Sequence, residues 1–203
     1  MIKNIIFDMG NVLLRYDEKE ISSYYAHTPE EFAFIHDEIV DSIEWKRLDA
    51  GLITREMAIK SINIRTYNKY ESLVRNFMNS WYIHQIWNKN ALDIVKDLYK
   101  HNYNLYVISN MSEDVWNHFK VYPYIKYFKG ILVSYVVKTL KPNTDIYDIF
   151  LKSSGLNPSE SIFIDDRIEN VNTASSLGFR ARLVSKDDAN DIKRILAEFN
   201  IKY

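Results

Sequence analysis

The stretch of sequence that decides the fold is Ile5–Asn11, which reads IIFDMGN. Its apolar start is typical of a strand in a parallel sheet, because helices cover both faces of such a sheet and leave the strand almost continuously hydrophobic. Its end places Asp8, Gly10 and Asn11 directly after that strand. Ligands of parallel α/β sheets bind outside the carboxyl ends of the strands. These three residues are therefore candidates for a functional site.

Three further polar clusters each come at or soon after the end of an apolar run. They are Ser109 with Asn110, Lys141, and Asp165 with Asp166. The carboxyl ends of parallel strands lie at one edge of a sheet, so we expect all four clusters to meet there. The meeting point would hold three carboxylates, a hydroxyl, side-chain amides and a lysine. Such a set of groups suits the binding of a metal ion and a phosphoryl group.

Length and composition exclude several classes of protein. The chain has 203 residues, enough for one domain or for one domain with a large insertion. Its 26 basic and 27 acidic residues give a net charge of -1, so we expect neither nucleic acid nor a membrane surface as a partner. Cysteine is absent, which excludes disulfides and thiol catalysis. No apolar run approaches the roughly 20 residues of a membrane span, and the apolar stretch 5–14 lacks the features of a signal peptide, so the expected location is cytoplasmic.

Most of the chain alternates apolar runs with helical patterns. Predicted strands cover residues 3–7, 103–108, 130–137, 162–164 and 180–184. Predicted helices cover residues 91–101, 112–121, 144–154, 168–177 and 190–199. Gly155 and Gly178 stand just past two of these helices, where glycine commonly ends a helix. The predicted fold class is therefore α/β, a Rossmann-like three-layer α/β/α sandwich around a parallel sheet.

Residues 16–90, called the inserted segment below, carry helical patterns and no comparable strand signal. Within it, Thr28–Glu31 is typical of a helix start, with Thr as the cap, Pro in the first turn and Glu at the third helical position. We expect this segment to form a helical cap inserted after the first strand, with residues 1–15 and 91–203 as the catalytic core. A cap over the sheet edge would exclude water and select substrates.

The order and spacing of these features resemble the haloacid dehalogenase superfamily of hydrolases. The resemblance covers nearly the whole chain, from Asp8 through the inserted segment to Asp166. More narrowly, residues 7–12 (FDMGNV) and 163–171 (FIDDRIENV) are similar to the bacterial sugar-phosphate phosphatases. That branch includes the glucose-1-phosphate phosphatases and is related to the N-terminal phosphatase domain of soluble epoxide hydrolases.

The resemblance implies a Mg²⁺-dependent phosphatase that hydrolyses phosphate monoesters of small metabolites, with sugar phosphates as the expected substrates. Asp8 would be the nucleophile and would form an aspartyl-phosphate that water later cleaves. A phosphate monoester carries negative charges that repel an anionic nucleophile, so a cation must shield it. Mg²⁺ would be held by Asp8, the carbonyl of Gly10 and Asp166. Asp165 would be a further ligand or a neighbour of the ligands.

The same resemblance implies which groups bind the phosphoryl oxygens. Lys141 would pair with the phosphate and neutralise the nucleophile. Hydrogen bonds would come from Ser109, Asn110 and the backbone amides of Gly10 and Asn11. The partner would be a small phosphorylated metabolite, and the protein would be a monomer or a weak homodimer.

One departure from the family concerns proton transfer. Most phosphatases of this superfamily carry a second Asp two residues after the nucleophile, which acts as an acid for the leaving group and as a base for water. Gly10 occupies that position here and has no side chain to transfer a proton. Either Asp17 or a residue of the inserted segment serves instead, or the substrate has a leaving group that needs little help. Lys138 also stands where the family often has Gly.

Three other functions use some of the same groups. A dehalogenase would share the Asp nucleophile, but it has no need of the carboxylate pair Asp165 and Asp166. A non-catalytic protein that binds a phosphorylated ligand would explain the missing acid–base group. A receiver-type phosphorylation switch also surrounds Mg²⁺ with Asp, Ser or Thr, and Lys, but here the acidic pair comes last in the chain. A Mg²⁺-dependent phosphatase is therefore the leading hypothesis.

Overall fold

The apolar runs of the sequence become the strands of one parallel sheet in the computed structural model, which describes residues 2–202. The strands of the protein are β1 (Asn4–Phe7), β2 (Leu14–Arg15), β3 (Ile86–Trp87), β4 (Asn104–Ser109), β5 (Gly130–Val133), β6 (Ser161–Asp165) and β7 (Arg180–Leu183). Five of them form the parallel sheet, in the order β5-β4-β1-β6-β7. β1 lies at its centre, and all of its residues are buried.

The register of the sheet brings the predicted polar clusters to one edge. Phe7, the last residue of β1, pairs with Val107 of β4 and with Ile164 of β6. Asp8 therefore follows β1 at the same level of the sheet as Asp165, the first residue of the acidic pair. Ser109 ends β4 in register with Val133, the last residue of β5. We call this side of the sheet the carboxyl edge.

The helices connect the strands and cover both faces of the sheet. They are α1 (Glu18–Ser23), α2 (Pro29–Phe34), α3 (Ile43–Asp49), α4 (Arg55–Arg65), α5 (Glu71–Ser80), α6 (Lys89–Lys100), α7 (Glu113–Phe119), α8 (Ser134–Val137), α9 (Thr144–Ser154), α10 (Ile168–Ser176) and α11 (Ala189–Glu198). A π-helical turn spans Ile35–Val40, and short 3₁₀ turns span Trp81–His84, Pro123–Tyr127 and Pro158–Glu160. None of the helices within residues 2–202 has the length and apolar character needed to cross a membrane.

Side chains of β1 alternate between two apolar cores. Ile5 and Phe7 pack in one core with residues of α6, α7 and α11. Ile6 packs in the other core with residues of α9 and α10. Because each face of the sheet is closed by its own set of helices, the molecule has three layers, α/β/α. This arrangement is the fold class predicted from the sequence.

The inserted segment contains five α-helices and begins and ends at a small sheet of its own. β2 and β3 pair antiparallel, with Leu14 opposite Trp87, and so join the two ends of the insertion. The helix start at Thr28 is a full capping box, since the Thr28 side chain accepts from the Glu31 amide and the Glu31 side chain accepts from the Thr28 amide. The strand at residues 86–87 was not expected, because two residues are too few to show a periodic pattern. The division into core and cap at these positions stays a prediction.

The predicted strand over residues 130–137 is wrong in its second half. β5 ends at Val133, and the next four residues form the short helix α8, which ends at Lys138 with a left-handed backbone (φ 60°). The cause is a tertiary contact. The Ser134 hydroxyl donates to the Asp49 carbonyl at 2.6 Å and accepts from the Met111 amide at 2.8 Å. Such contacts override the strand preference of valine-rich sequence.

Candidate active site

The centre of the carboxyl edge is a buried lysine between two carboxylates. Lys141 Nζ lies 2.8 Å from Asp8 Oδ1 and 2.6 Å from Asp165 Oδ2. The same nitrogen donates to the carbonyl of Ile108 at 2.9 Å. Only 1% of the Lys141 side chain is exposed. The three protons of the ammonium group thus have three acceptors, which fixes the position of the charge.

Asp165 is enclosed and fully hydrogen-bonded. Its Oδ1 accepts from the Arg167 amide and from the Asn170 side chain, both at 2.9 Å. Its Oδ2 accepts from Lys141 and, at 3.1 Å, from the same Asn170 nitrogen. A carboxylate with these partners is suited to hold the lysine in place. Because both of its oxygens already accept hydrogen bonds, Asp165 is better placed to neighbour the metal ligands than to be one of them.

Burial and the neighbouring charges shift the pKa values of Asp8, Asp166 and Lys141. Burial raises the pKa of Asp8 to about 7, the charge of Lys141 acts in the opposite direction, and the charges of Asp165 and Asp166 add to the rise. Burial also raises the pKa of Asp166, against the effect of its hydrogen bond from Asn11. Burial alone would lower the pKa of Lys141, but the charges of Asp165 and Asp8 raise it above its ordinary value.

The site fits a divalent cation. One carboxylate oxygen from each of Asp8, Asp165 and Asp166 lies within 4.8 Å of the others. Asp8 Oδ1 is buried and has no hydrogen-bond partner apart from its ion pair with Lys141. One lysine cannot neutralise three carboxylates, and oxygen ligands are what Mg²⁺ prefers. Asp8 and Asp166 would hold such an ion at the mouth of the site.

Asn11 orients Asp166 and connects it to the inserted segment. Its side-chain nitrogen donates to Asp166 Oδ2 at 3.0 Å, and its side-chain oxygen accepts from the Tyr16 amide at 3.2 Å. Its own amide donates to the Leu14 carbonyl at 2.6 Å. The sequence predicted that this amide binds a phosphoryl oxygen, whereas here it closes the turn after the first strand. The left-handed backbone of Asn11 (φ 56°) belongs to the same turn.

Gly10 lies between Asp8 and Asn11 in open space. A Cβ atom added there would meet no atom within 4 Å, and the backbone is not left-handed. A side chain at this position is therefore sterically allowed. The absence of an acid at residue 10 is not imposed by backbone strain.

Ser109 ends β4, and Asn110, which follows it, contacts the backbone of Lys141. Ser109 is buried. The Asn110 side chain accepts from the Lys141 amide at 2.8 Å and donates to the Lys141 carbonyl at 2.9 Å. Both polar atoms of this side chain thus bind backbone. The sequence predicted Asn110 as a substrate contact, but the structure places it as a support of Lys141.

A cleft of about 710 Å³ opens beside Asn11, between the carboxyl edge and the inserted segment. Tyr16, Phe32 and Lys186 contribute to its walls. The motifs in the sequence did not indicate these residues, because they come from separate loops and helices that meet only in the folded chain. The cleft is large enough for a small molecule and borders the site at Asn11.

Comparison with known proteins places the chain among hydrolases. The sequence profile of the haloacid dehalogenase-like hydrolases matches residues 5–184. The D-ribitol-5-phosphate phosphatase of Bacteroides thetaiotaomicron is 26% identical over 192 residues, which cover 88% of this chain and 90% of that protein.

Two solved structures show the same fold. A haloacid dehalogenase family enzyme from Bacteroides thetaiotaomicron, in complex with magnesium and inorganic phosphate, superposes with a TM-score of 0.72 at 23% identity, covering 93% of this chain and 96% of that one. The L-2-haloacid dehalogenase of Xanthobacter autotrophicus, with chloropropionic acid covalently bound, superposes with a TM-score of 0.68 at 17% identity, covering 100% of this chain and 85% of that one.

The different surroundings of the two adjacent aspartates predict different effects on stability. Asp165→Asn removes one charged partner of the buried Lys141, so we expect the free energy of unfolding to fall by roughly 3–5 kcal/mol. Asp166→Asn removes a carboxylate that other carboxylates repel, so we expect a change of less than about 1 kcal/mol. Urea unfolding in the presence of a chelator measures both. Equal losses of unfolding free energy in the two variants would contradict the different surroundings assigned to Asp165 and Asp166.

Proposed function

The chain belongs to the haloacid dehalogenase-like hydrolases, and on that premise we propose that it is a Mg²⁺-dependent phosphatase of small phosphorylated metabolites. Sugar and polyol phosphates are the proposed substrate class, supported by the similarity to a D-ribitol-5-phosphate phosphatase. The observation that carries the proposal is the ion pair of Lys141 with Asp8 at 2.8 Å, with Asp166 close enough to share a cation.

Asp8 is the proposed nucleophile. Lys141 pairs with Oδ1 of Asp8, so Oδ2 is the oxygen proposed to attack phosphorus. The new bond from Oδ2 to phosphorus forms as the bond from phosphorus to the leaving oxygen breaks, and an aspartyl-phosphate results. Water then attacks phosphorus, inorganic phosphate leaves and the carboxylate of Asp8 is restored. Lys141 holds the nucleophile in one position throughout, which is a large part of catalysis when the reaction depends on positioning and charge.

The remaining residues are proposed to neutralise and orient charge. A bound Mg²⁺ would supply positive charge shared by the nucleophile and the phosphoryl oxygens. Asp166 and the Gly10 carbonyl would be the ligands beside Asp8, and Asn11 holds the Asp166 carboxylate by a hydrogen bond. Ser109 and the Gly10 amide are the proposed donors to the phosphoryl oxygens.

The test of the nucleophile is Asp8→Asn. An amide cannot form the acyl-phosphate, so we expect release of inorganic phosphate from an aryl phosphate to fall by roughly 10³-fold or more, with an unchanged circular dichroism spectrum. Wild-type turnover by a folded Asp8→Asn protein would contradict the covalent mechanism. A wild-type protein that binds phosphate esters but hydrolyses none would favour the non-catalytic function. Halide release from 2-haloacids without Mg²⁺ would favour the dehalogenase.

The metal site predicts graded losses of Mg²⁺ affinity. Asn11→Ala releases Asp166 from its hydrogen bond, and loss of such an outer partner commonly costs about 10–100-fold in metal affinity. Asp166→Ala removes the ligand itself, so we expect a larger loss. Titration calorimetry with Mg²⁺ measures the affinity directly, and the Mg²⁺ concentration for half-maximal rate gives a second measure. Unchanged Mg²⁺ binding by Asp166→Ala would contradict the assignment of this ligand.

The cleft beside Asn11 predicts that the inserted segment selects the substrate. Phe32→Ala enlarges the cleft away from the metal ligands, so we expect the ranking of substrates in a panel of sugar and polyol phosphates to change. Mg²⁺ affinity should stay the same, because Phe32 lies outside the carboxylate cluster. Ile64→Ala is the matched control, since Ile64 is exposed on the same segment and does not line this cleft. A substrate ranking that Phe32→Ala leaves unchanged would contradict the proposed role of the cleft.

A further inference from the structure

The ammonium group of Lys141 has no proton left for a substrate. Its three neighbours, Asp8 Oδ1, Asp165 Oδ2 and the Ile108 carbonyl, lie 2.8, 2.6 and 2.9 Å from the nitrogen. The phosphoryl group of a phosphate monoester brings two negative charges to an edge of the sheet that already holds three carboxylates. A cation that is free to bind phosphoryl oxygens must therefore come from outside this buried cluster.

We infer that Lys186, in the loop after β7, is a substrate-binding residue that contacts the phosphoryl oxygens at the mouth of the site. The inference rests on the proposed function and deepens it. It assigns to a lysine of the cleft the contact that the buried Lys141 does not make.

The basic side chains of the cleft beside Asn11 differ in their partners. Those that line the cleft are Arg15, Lys19, His36 and Lys186. Arg15 and His36 each form an ion pair with a glutamate of α1. Lys19 and Lys186 are exposed, and within residues 2–202 no carboxylate lies at ion-pair distance from either ammonium group. These two ammonium groups are therefore available to an anionic ligand in the cleft.

The loop that carries Lys186 is bonded to Asn11. The amide of Asp187 donates to the Asn11 carbonyl at 2.7 Å, and the side chain of the same Asn11 donates to Asp166 Oδ2 at 3.0 Å. Asp187 also accepts from the Asn88 side chain, through Oδ1 at 2.7 Å and through its carbonyl at 3.2 Å. The backbone of Lys186 is therefore held next to the residue that positions a proposed metal ligand.

Further hydrogen bonds fix the conformation of this loop. Asp187 has a left-handed backbone (φ 57°), which residues other than glycine adopt seldom and which its hydrogen bonds to Asn11 and Asn88 maintain. On the other side of Lys186, the Ser185 amide donates to the side chain of Asp191 in α11 at 2.8 Å. The main chain of Lys186 thus has a defined place, while its ammonium group stands on a flexible stem.

The charge of Lys186 acts on the carboxylate cluster. Burial is the main cause of the raised pKa of Asp166, and the positive charge of Lys186 opposes that rise. The same direction of effect comes from the Asn11 hydrogen bond. A phosphoryl group attacked by Asp8 and sharing a cation with Asp166 would therefore lie in the field of Lys186.

A lysine suits this contact chemically. Its ammonium group is a compact charge with three donors on a four-carbon stem. It can follow the phosphoryl oxygens as phosphorus passes from the leaving oxygen to Asp8 and then to water. Lys186 transfers no proton and forms no bond to phosphorus, so the steps proposed for Asp8 are unchanged.

The experiment measures the binding of inorganic phosphate, which has phosphoryl oxygens and no organic part. Titration calorimetry at saturating Mg²⁺ gives its affinity for the wild-type protein and for the variants. We expect a loss of about 10–100-fold in Lys186→Gln, because a hydrogen bond between charged groups is lost. Lys186→Arg keeps the charge and should recover most of that loss. Lys19→Gln is the matched control, since Lys19 is an exposed lysine of the same cleft outside the loop bonded to Asn11, and it should bind phosphate as the wild type does.

Three further measurements separate a binding contact from a structural role. With 4-nitrophenyl phosphate, we expect the loss in Lys186→Gln to fall on KM with kcat nearly unchanged, because a contact made both before and during the reaction is uniform binding. Affinity for Mg²⁺ without phosphate should not weaken, since the substitution removes positive charge near Asp166. Added salt should weaken phosphate binding more in the wild type than in Lys186→Gln.

Three results would overturn the inference. One is wild-type phosphate affinity in Lys186→Gln. Another is an equal loss in Lys19→Gln, which would indicate the general charge of the cleft instead of a contact by one residue. The third is a loss confined to sugar phosphates, which would place Lys186 against the organic part of the substrate. A wild-type protein that hydrolyses no phosphate ester would instead overturn the proposed function, so the two failures are distinguishable.

Discussion

The buried ammonium group of Lys141 is the interaction on which the rest of the site depends. Removing a charge from water is costly, and only good geometry with carboxylates and further hydrogen bonds offsets that cost. The Ile108 carbonyl of β4, Asp165 of β6 and Asp8, directly after β1, provide this geometry. The order β4-β1-β6 in the sheet is therefore a condition for the site, since only adjacent strands bring these acceptors within reach of one nitrogen.

The single positive charge of the Lys141 ammonium group does not neutralise the three carboxylates of the site. Asp8 and Asp166 both have raised pKa values, chiefly because they are buried. Sites with such unbalanced charge are often functional, because the cost to stability is retained only where the charge is used. Here the imbalance fits a divalent cation and a dianionic substrate, which together complete the charge of the site. Asn11, Asn110 and Asn170 form hydrogen bonds with Asp166, Lys141 and Asp165. Their side chains are uncharged, so they hold these residues without changing the net charge of the site.

The inserted segment is fixed to the core at two places. The small sheet of β2 and β3 joins its ends next to the first polar cluster. On the far side Ser134 and Lys138 bind the backbone of Asp49 and Gly51. A segment held at both places can contribute a side chain to the site with a defined position, which a loop tethered at one end does less well.

The sequence by itself determined where the five strands of the parallel sheet lie, apart from the end of β5, and it determined the meeting of Asp8, Lys141 and the acidic pair. Unbroken apolar runs and a shared carboxyl edge are consequences of local pattern. Only the tertiary structure decided the partner of each polar group. The Asn11 amide and the Asn110 side chain bind backbone instead of substrate, and residues 134–137 form a helix instead of a strand. Hydrogen-bond partners and burial depend on residues distant in sequence, and periodicity carries no record of them.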